Sequence, residues 1–517
     1  MIRPLLTVSS GTLASRLLGF VRDALVAALL GAGPVADAFL VAFQLVNVIR
    51  RLLTEGALNA ALVPAWLRLR EAEGQVAAAA FAGRVLGTVS TALVVAAALI
   101  GLAMPLLIAL LAPGFVGGPS LTLAVDDARL MLPYLAFAGP VTVLMGILNA
   151  QQRFALTAFS PLLFNLALIA VMVALLLRPR DAADAALLMA ATIGIAGLLQ
   201  LAMLAWRRGD AVATPLRVSF DAEMRGFFAK AVPGMLANSG PQLLIVGGAI
   251  VASGSPALVS WLYFANRLIE LPLGIVGTAM GTVLVPQLSR AVQGDDTAAI
   301  AQAESRALEL AVGLALPAML GLIVLREPIV RLLFEHGAFG AADAAATAQA
   351  LAFLALGLPA HVAVKAIAPA FFARDNTSAP LRAMLGGLGL AIVTAMPLGA
   401  LFGVGGIAAA VALGAWGSAG LLIRQAAASF GFAIDVSARR RLLLIAAAAL
   451  AMAALLALKA RFALPLVAGA PLAVQALGLG LVIAGGVIIY GGLLMLAGVV
   501  NPSELLRALR RPDRLRD

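Results

Sequence analysis

Cysteine is absent from the 517 residues, histidine occurs twice and charged side chains make up only 12% of the chain. Without cysteine there are no disulfides and no thiolate metal sites, although the compartment stays open on that ground. The two histidines, His336 and His361, are too far apart in sequence for one helix-face metal site and have no clear carboxylate triad beside them. Both read as structural or cavity polar groups. The scarcity of charge is matched by an excess of apolar residues: 62% are hydrophobic and the mean hydropathy is +1.04. Soluble domains hold roughly 45–50% apolar residues, so the chain reads as an all-α integral membrane protein with no soluble domain.

Apolar runs long enough to cross a hydrocarbon core of about 30 Å recur from end to end. Loop signals place helices near 5–30, 35–63, 77–112, 127–152, 159–177, 184–206, 225–251, 257–286, 305–334, 344–373, 380–402, 405–430, 440–462 and 473–500. That makes about 14 transmembrane helices.

The formal net charge of +11 would suit a nucleic-acid partner, but its distribution is topological. With the N-terminus inside, the inward loops and ends hold Arg68, Arg70, Arg153, Arg207, Arg208, Arg217, Arg225, Lys230, Arg290, Arg374, Arg439, Arg440, Arg441 and the tail "LRALRRPDRLRD". The outward loops hold little beyond Arg178, Arg180 and Arg461. The bias predicts both termini in the cytoplasm and no nucleic-acid partner. No cleavable signal peptide is evident in "MIRPLLTVSSGTLASRLLGF", where arginine interrupts the apolar part.

The chain also repeats itself. Pro34, Pro64 and Arg68 superpose on Pro256, Pro286 and Arg290 at a constant offset of 222, and the triplet "LVP" at 62–64 recurs at 284–286. Pro140 and Pro161 enclose Arg153 at the same spacing at which Pro359 and Pro380 enclose Arg374. The repeats lie about six helices apart, an even number, so they cross the membrane in the same direction, related by an axis along its normal. This predicts two six-helix lobes, 1–215 and 216–435, followed by an additional helix pair and basic tail over 436–517. Such a design places a binding site between the lobes.

A few charges lie inside the spans. An ionisable residue at mid-span costs roughly 2.5–3.5 kcal/mol on insertion scales and normally faces a protein interior or a wet cavity. In the second helix Asp37, Gln44, Asn47, Arg51 and Thr54 recur at helical spacing, with Arg50 and Glu55 beside them. They form a polar stripe that runs about 27 Å from Asp37 to Glu55, nearly the membrane thickness. In the first helix Arg16, Gly19 and Asp23 share a face while Arg22 points elsewhere, and in the repeat-related helix Arg267 and Glu270 are an i,i+3 pair beside Asn266. Lys365, one turn after His361, is a further mid-span cation. One reading makes these groups internal ion pairs, Arg16 with Asp23 and Arg267 with Glu270. Arginine nevertheless exceeds acid at depth, and its planar fork suits phosphate or carboxylate bidentately. The charges therefore point to a transporter of an anionic, phosphorylated substrate. A cation antiporter would favour a carboxylate-rich cavity, and a membrane-embedded glycosyltransferase would need acid/base residues on loops longer than "GAG", "VASGSP" or "FGVGG".

The segments "SRLLGFVRD", "GAGPVADAFLVAF", "NVIRRLLTEGALNAALVP", "YFANRLIELPLGIVGTAMGTVLVPQLS" and "VKAIAPAFFARDNTSAP" resemble the MurJ (MviN) lipid II flippases of bacterial cell-wall synthesis. The resemblance covers the first twelve helices, and the extra C-terminal pair also fits. It implies the multidrug/oligosaccharidyl-lipid/polysaccharide exporter fold in the bacterial cytoplasmic membrane. It further implies an alternating-access cycle that carries lipid II, the undecaprenyl-diphosphate-linked peptidoglycan precursor, from the cytoplasmic to the periplasmic leaflet. By this resemblance Arg16, Arg22, Arg50 and Arg267 match the central-cavity arginines, with Asp37, Glu55 and Glu270 as acidic companions; Asp23, Asn47, Arg51 and Lys365 complete the candidate cavity set. Many relatives carry a basic residue at the place of Gln44 and an acid at that of Asn266. The last helix pair suits a lipid-facing groove for the polyprenyl tail, as in the family, or simple bundle packing. The expected assembly is a monomer without cofactor, in contact with lipid II, the bilayer and other cell-wall synthesis proteins; the sequence does not specify an ion-coupling partner.

Overall fold

The computed structural model of the protein describes residues 2–54, 57–206, 212, 216–237, 250–279, 297–372, 374, 376–432, 436–467 and 469–500. Among these, all regular structure is helical. In chain order the helices are α1 (Ile2–Leu30), α2 (Pro34–Thr54), α3 (Ala57–Glu73), α4 (Gln75–Leu111), α5 (Pro119–Ala150), α6 (Phe154–Leu177), α7 (Ala182–Trp206) and α8 (Ala222–Ala237). They continue with α9 (Leu258–Ala279), α10 (Thr297–Val324), α11 (Arg326–Phe334), α12 (Ala341–Ala355), α13 (Leu358–Phe372), α14 (Ser378–Phe430), α15 (Val436–Ala463) and α16 (Leu472–Leu496).

Eight helices among the described residues are long and apolar enough to cross a membrane, or nine if α12 and α13, bent by 41°, form one broken span. The chain is a multi-pass membrane protein. The 53-residue α14 holds two helices rather than one, because Gly403 turns the backbone at φ 57 and ψ −135. Its halves fold back on each other so closely that a Cβ at Gly387 would strike the Gly414 carbonyl and one at Gly406 the Leu398 carbonyl. Small residues permit this approach, the usual device where no hydrophobic effect drives helices together in lipid. The expected spans 380–402 and 405–430 flank this turn. The expected helix over 305–334 instead breaks at Leu325, just before the "REP" start of α11, where Pro328 lacks the N–H that an uninterrupted helix requires. The break between α12 and α13 falls at Gly357, where a Cβ would press against Ala412 on the second half of α14. The second member of the "LVP" repeat, Pro286, and its companion Arg290 lie outside the described residues.

The chain divides into two compact units: residues 1–260 with 334–340, and residues 261–333 with 341–517. In the first, α5 packs against α2, α4 and α7, and α1 against α6. Gly194 and Gly197 let α7 settle on Leu130 and Tyr134 of α5. Leu62, Trp66, Phe81, Val85, Leu144 and Met224 belong to one buried cluster. Leu99, Leu102, Leu106 and Leu110 form an exposed apolar stripe on α4, a face suited to acyl chains and not to water. Residues 216–221 are fastened to the opposite end of α4. Ser219 N–H donates to Thr88 Oγ1 at 3.1 Å, while the Thr88 hydroxyl donates to the Ser219 carbonyl at 3.3 Å. Arg84 pairs with Asp221 and Glu223. The Ser219 hydroxyl, then the Met224 N–H, holds the Asp221 carboxyl below the usual carboxylate range, with Arg84 adding to the effect. Gly87 makes room for this crossing, since a Cβ there would meet the Arg217 carbonyl.

In the second unit α10 packs on α13 and α15, α14 on α12 and α13, and α16 on α15. Phe371, Ala415, Ala419 and Leu422 are buried together. The Tyr490 hydroxyl of α16 donates to the Gly313 carbonyl of α10 at 2.7 Å. That bond satisfies the tyrosine hydroxyl within a cluster that includes Ala449, Met452 and Leu316.

Candidate substrate site

The charges on α1 separate into a fastened arginine and an open one. Arg22 is 9% exposed. Its Nε and Nη2 both donate to Asp23 Oδ1, at 3.0 and 2.7 Å, and Nη1 donates to Asn165 Oδ1 at 3.2 Å. The guanidinium carbon also lies 5.0 Å from the centre of the Phe43 ring and 5.9 Å from that of Phe164. Asn165 Nδ2 in turn donates to the Ser15 carbonyl at 3.3 Å, tying α6 to α1. A charge in so dry a place is tolerated because it has a counter-ion, a neutral acceptor and aromatic faces around it.

Arg16 is different. Its side chain is exposed, and among the described residues it makes no hydrogen bond or ion pair; Asp23, the partner that helical spacing suggested, is held by Arg22. Arg16 lines a cavity of about 560 Å³ in the first unit, together with Ser15, Asn149 and Thr157 and the apolar Met145, Phe154 and Pro161. A guanidinium with its donors open, above a cavity in a membrane-embedded helix bundle, is a site for an anion.

Along α2 the polar stripe is not uniform. Asp37 is 1% exposed and fully engaged: Oδ2 accepts from the Ala257 N–H at 2.6 Å, and Oδ1 from the Ser260 N–H at 2.9 Å and hydroxyl at 2.6 Å. Its carboxylate caps the free N–H groups at the start of α9, where the helix dipole also favours negative charge. Ala257 needs the hold, because its φ of 67 is left-handed and disfavoured for a residue with a Cβ. Further along, Gln44, Asn47, Arg50 and Arg51 are half-buried, and Arg50 Nε donates to Asn47 Oδ1 at 3.4 Å. The Thr54 side chain and Glu55 lie outside the described residues.

In the second unit Arg267 Nη1 meets Glu270 Oε2 at 2.7 Å, the two side chains 22% and 34% exposed. Asn266 beside them is exposed. Lys365 Nζ reaches the Leu273 carbonyl of α9 at 3.4 Å. His361 lies on α13, and His336 is exposed in the 334–340 segment of the first unit. No group of three His, Cys, Asp or Glu able to hold a metal occurs among the described residues.

Three polar residues that sequence reading did not single out take part in this geometry: Asn165, Ser260 and Asn149. Asn165 carries a signal, a lone amide in the apolar run "PLLFNLALIA", since a mid-span polar group calls for a partner. Ser260 and Asn149 sit near helix ends, where such residues are common, and nothing local marks them.

The family model described as "Lipid II flippase MurJ" matches residues 26–474. A probable lipid II flippase MurJ of Rhizobium meliloti is 36% identical over 462 residues, covering 88% of this chain and 86% of that protein. The lipid II flippase MurJ of Burkholderia cenocepacia is 32% identical over 424 residues, covering 80% and 81%. Among solved structures, one described as lipid II flippase MurJ in an inward closed conformation superposes with a TM-score of 0.74 at 22% identity, covering 95% of this chain and 98% of that one. An inward-facing multidrug resistance MATE family transporter of the MOP superfamily follows at a TM-score of 0.66 and 16% identity, covering 83% and 95%. The structures establish the shared fold, and the breadth of the sequence match establishes the closer kinship: the chain belongs to the lipid II flippase MurJ family.

Proposed function

We propose that this protein is a transporter that carries lipid II from the cytoplasmic to the periplasmic leaflet of the bacterial cytoplasmic membrane by alternating access, as a monomer with both termini in the cytoplasm. The observation that carries the reading is the Arg16 guanidinium, open over its cavity while neighbouring Arg22 is neutralised by Asp23. A diphosphate in a low-dielectric interior needs cations whose hydrogen bonds are not already spent, and the fork of Arg16 matches its oxygens two at a time. Arg22, with Asp23 and Asn165, stiffens the helix face on which Arg16 stands. Arg50, Arg51 and Arg267 add positive charge, with Asn47, Glu55 and Glu270 as partners that limit its desolvation cost, and Lys365 is a further cation. Asp37 serves by holding the start of α9.

The repeat supports an organisation in which lobes 1–215 and 216–435 alternate access while 436–517 faces the lipid near the polyprenyl tail. An antiporter of cations finds less support, because Asp23 and Asp37, the buried acids of α1 and α2, are already engaged. Other cell-wall synthesis proteins are the natural partners of a lipid II carrier. The deciding experiment is complementation in cells depleted of their own lipid II flippase. Growth and cell-wall synthesis restored by the wild type, and lost on Arg16→Ala at normal membrane level, is the expected result; no rescue by an abundant wild-type protein would end the proposal.

A further inference from the structure

The cavity beside Arg16 has a second wall that the arginines do not supply. After α5 ends at Ala150, the chain turns through Gln152, left-handed at φ 63, and enters α6 at Phe154. The tight turn brings Thr157 back against the end of α5, where its hydroxyl lies 2.6 Å from Asn149 Oδ1, the shorter of its two acceptor contacts, the other being the Phe154 carbonyl at 3.0 Å. This bond fixes the plane of the carboxamide. The other end of the group, Nδ2, has no hydrogen-bond partner among the described residues and is not sealed from solvent. Asn149 is half-buried and lines the cavity, so a ligand reaching it would find an oriented amide donor.

The rest of the lining narrows the choice of ligand. Phe154, Met145 and Pro161 offer apolar surface, Ser15 a hydroxyl, and Arg16 a cation. An anion alone would need the arginine and more donors, not an apolar floor. A purely apolar ligand would leave the amide and guanidinium unsatisfied. A sugar fits the combination: its C–H face packs on apolar side chains, while its hydroxyl and acetamido groups take hydrogen bonds from a few placed donors. The cavity volume of about 560 Å³ falls among pockets of roughly 300–1,000 Å³ that enclose a small ligand. It suits one sugar ring and its adjoining phosphate, not the whole glycopeptide head.

We propose that Asn149, held in place by Thr157, reads the first sugar of the substrate, the ring joined directly to the diphosphate that Arg16 binds. The assignment rests on the flippase reading and adds to it a source of selectivity for glycosylated over bare polyprenyl diphosphate.

The test uses the full chain in nanodiscs, titrated in native mass spectrometry with two probes: lipid II, and undecaprenyl diphosphate, which has the tail and diphosphate but no sugar. The wild type should prefer lipid II. Asn149→Leu keeps the side-chain length and removes both polar atoms; it should weaken lipid II binding about tenfold, the size of one lost hydrogen bond of ordinary strength, and leave undecaprenyl diphosphate unchanged. Thr157→Val keeps the shape and frees the amide, so a smaller loss in the same direction is expected, and it carries the test if Asn149→Leu does not accumulate. Arg16→Ala should weaken both lipids alike. Variants that bind both probes like the wild type, or lose both equally, overturn the sugar subsite while leaving the flippase reading intact. A wild type that binds neither probe overturns both.

Discussion

Arg22 Nη2 closes on Asp23 Oδ1 at 2.7 Å, so two adjacent residues neutralise each other inside the first unit while Arg16, two turns earlier on the same helix, stays open. The two arginines should therefore fail in different ways when truncated. Arg16→Ala removes an exposed side chain with no protein partner among the described residues; transport should be abolished with membrane level and thermal stability near wild type. Arg22→Ala strands the 1% exposed Asp23, and breaking a buried pair costs about 3–5 kcal/mol, so the level should fall as well. Adding Asp23→Asn to Arg22→Ala should restore much of the level, since it removes the stranded charge. Immunoblots of membranes and a melting curve of purified protein check this. Equal levels for both single variants would remove the distinction drawn between the two arginines.

The pair in the second unit calls for a subtler change. Arg267 is half-buried, with Nη1 on Glu270 Oε2 at 2.7 Å. Arg267→Lys preserves charge and can keep the ion pair, but a lysine cannot present a planar bidentate face. Stability should stay within about 0.5–1 kcal/mol of wild type, as for other partly exposed pairs, while transport drops sharply. Lipid II turnover in flippase-depleted cells measures the second quantity, and full turnover by the lysine variant would reduce Arg267 to a generic positive charge.

How far the sequence foretold these features depends on the range over which each is encoded. The helix boundary at Gly403 was legible, because a glycine in a "FGVGG" loop is a local signal. The Arg267–Glu270 pair was legible too, since one turn of helix places the two side chains together. The break at Gly357 was not, because an apolar run continues through it and the cause, close packing on Ala412, is tertiary. The Arg22–Asp23–Asn165 group escaped for a related reason: adjacent residues on an ideal helix diverge, yet a long guanidinium can fold back, and Asn165 arrives from 143 positions away. Asp37 reads as part of a cavity stripe by periodicity, whereas its carboxylate is taken up by Ser260, 223 positions on. Periodicity says which face a residue occupies; it does not say what occupies the residue.

That capping arrangement makes Asp37→Asn informative. An asparagine keeps one acceptor for Ser260 but turns an NH₂ toward the Ala257 N–H, so two donors face each other in a buried place. The expected loss is about 1–3 kcal/mol, that of a buried donor left unsatisfied, read as a lowered Tm. Ala257 should also become more accessible to hydrogen exchange, because the left-handed turn at that residue loses its anchor. An unchanged Tm together with unchanged exchange at Ala257 would show that the carboxylate charge is dispensable there.

The absence of cysteine allows the walls of the α2 stripe to be probed with single thiols. Gln44 is half-buried, whereas Val46, two residues along and about 200° around the helix, is 2% exposed and packed within the first unit. Their depths differ by only about 3 Å along the axis, so depth cannot distinguish them and the face can. If the stripe lines a cavity that opens alternately to each side, a membrane-impermeant thiol reagent added outside should label Gln44→Cys and spare Val46→Cys. Labelling should fall when the outward-open state is depopulated, because accessibility reports the population of that state. The control is complementation by each cysteine variant, which ensures that the labelled protein is cycling. Equal labelling of both positions, or none at either in cells that depend on the variant for growth, would mean that the polar face of α2 lines no alternating cavity, and the role assigned to Arg50, Arg51 and Asn47 would go with it.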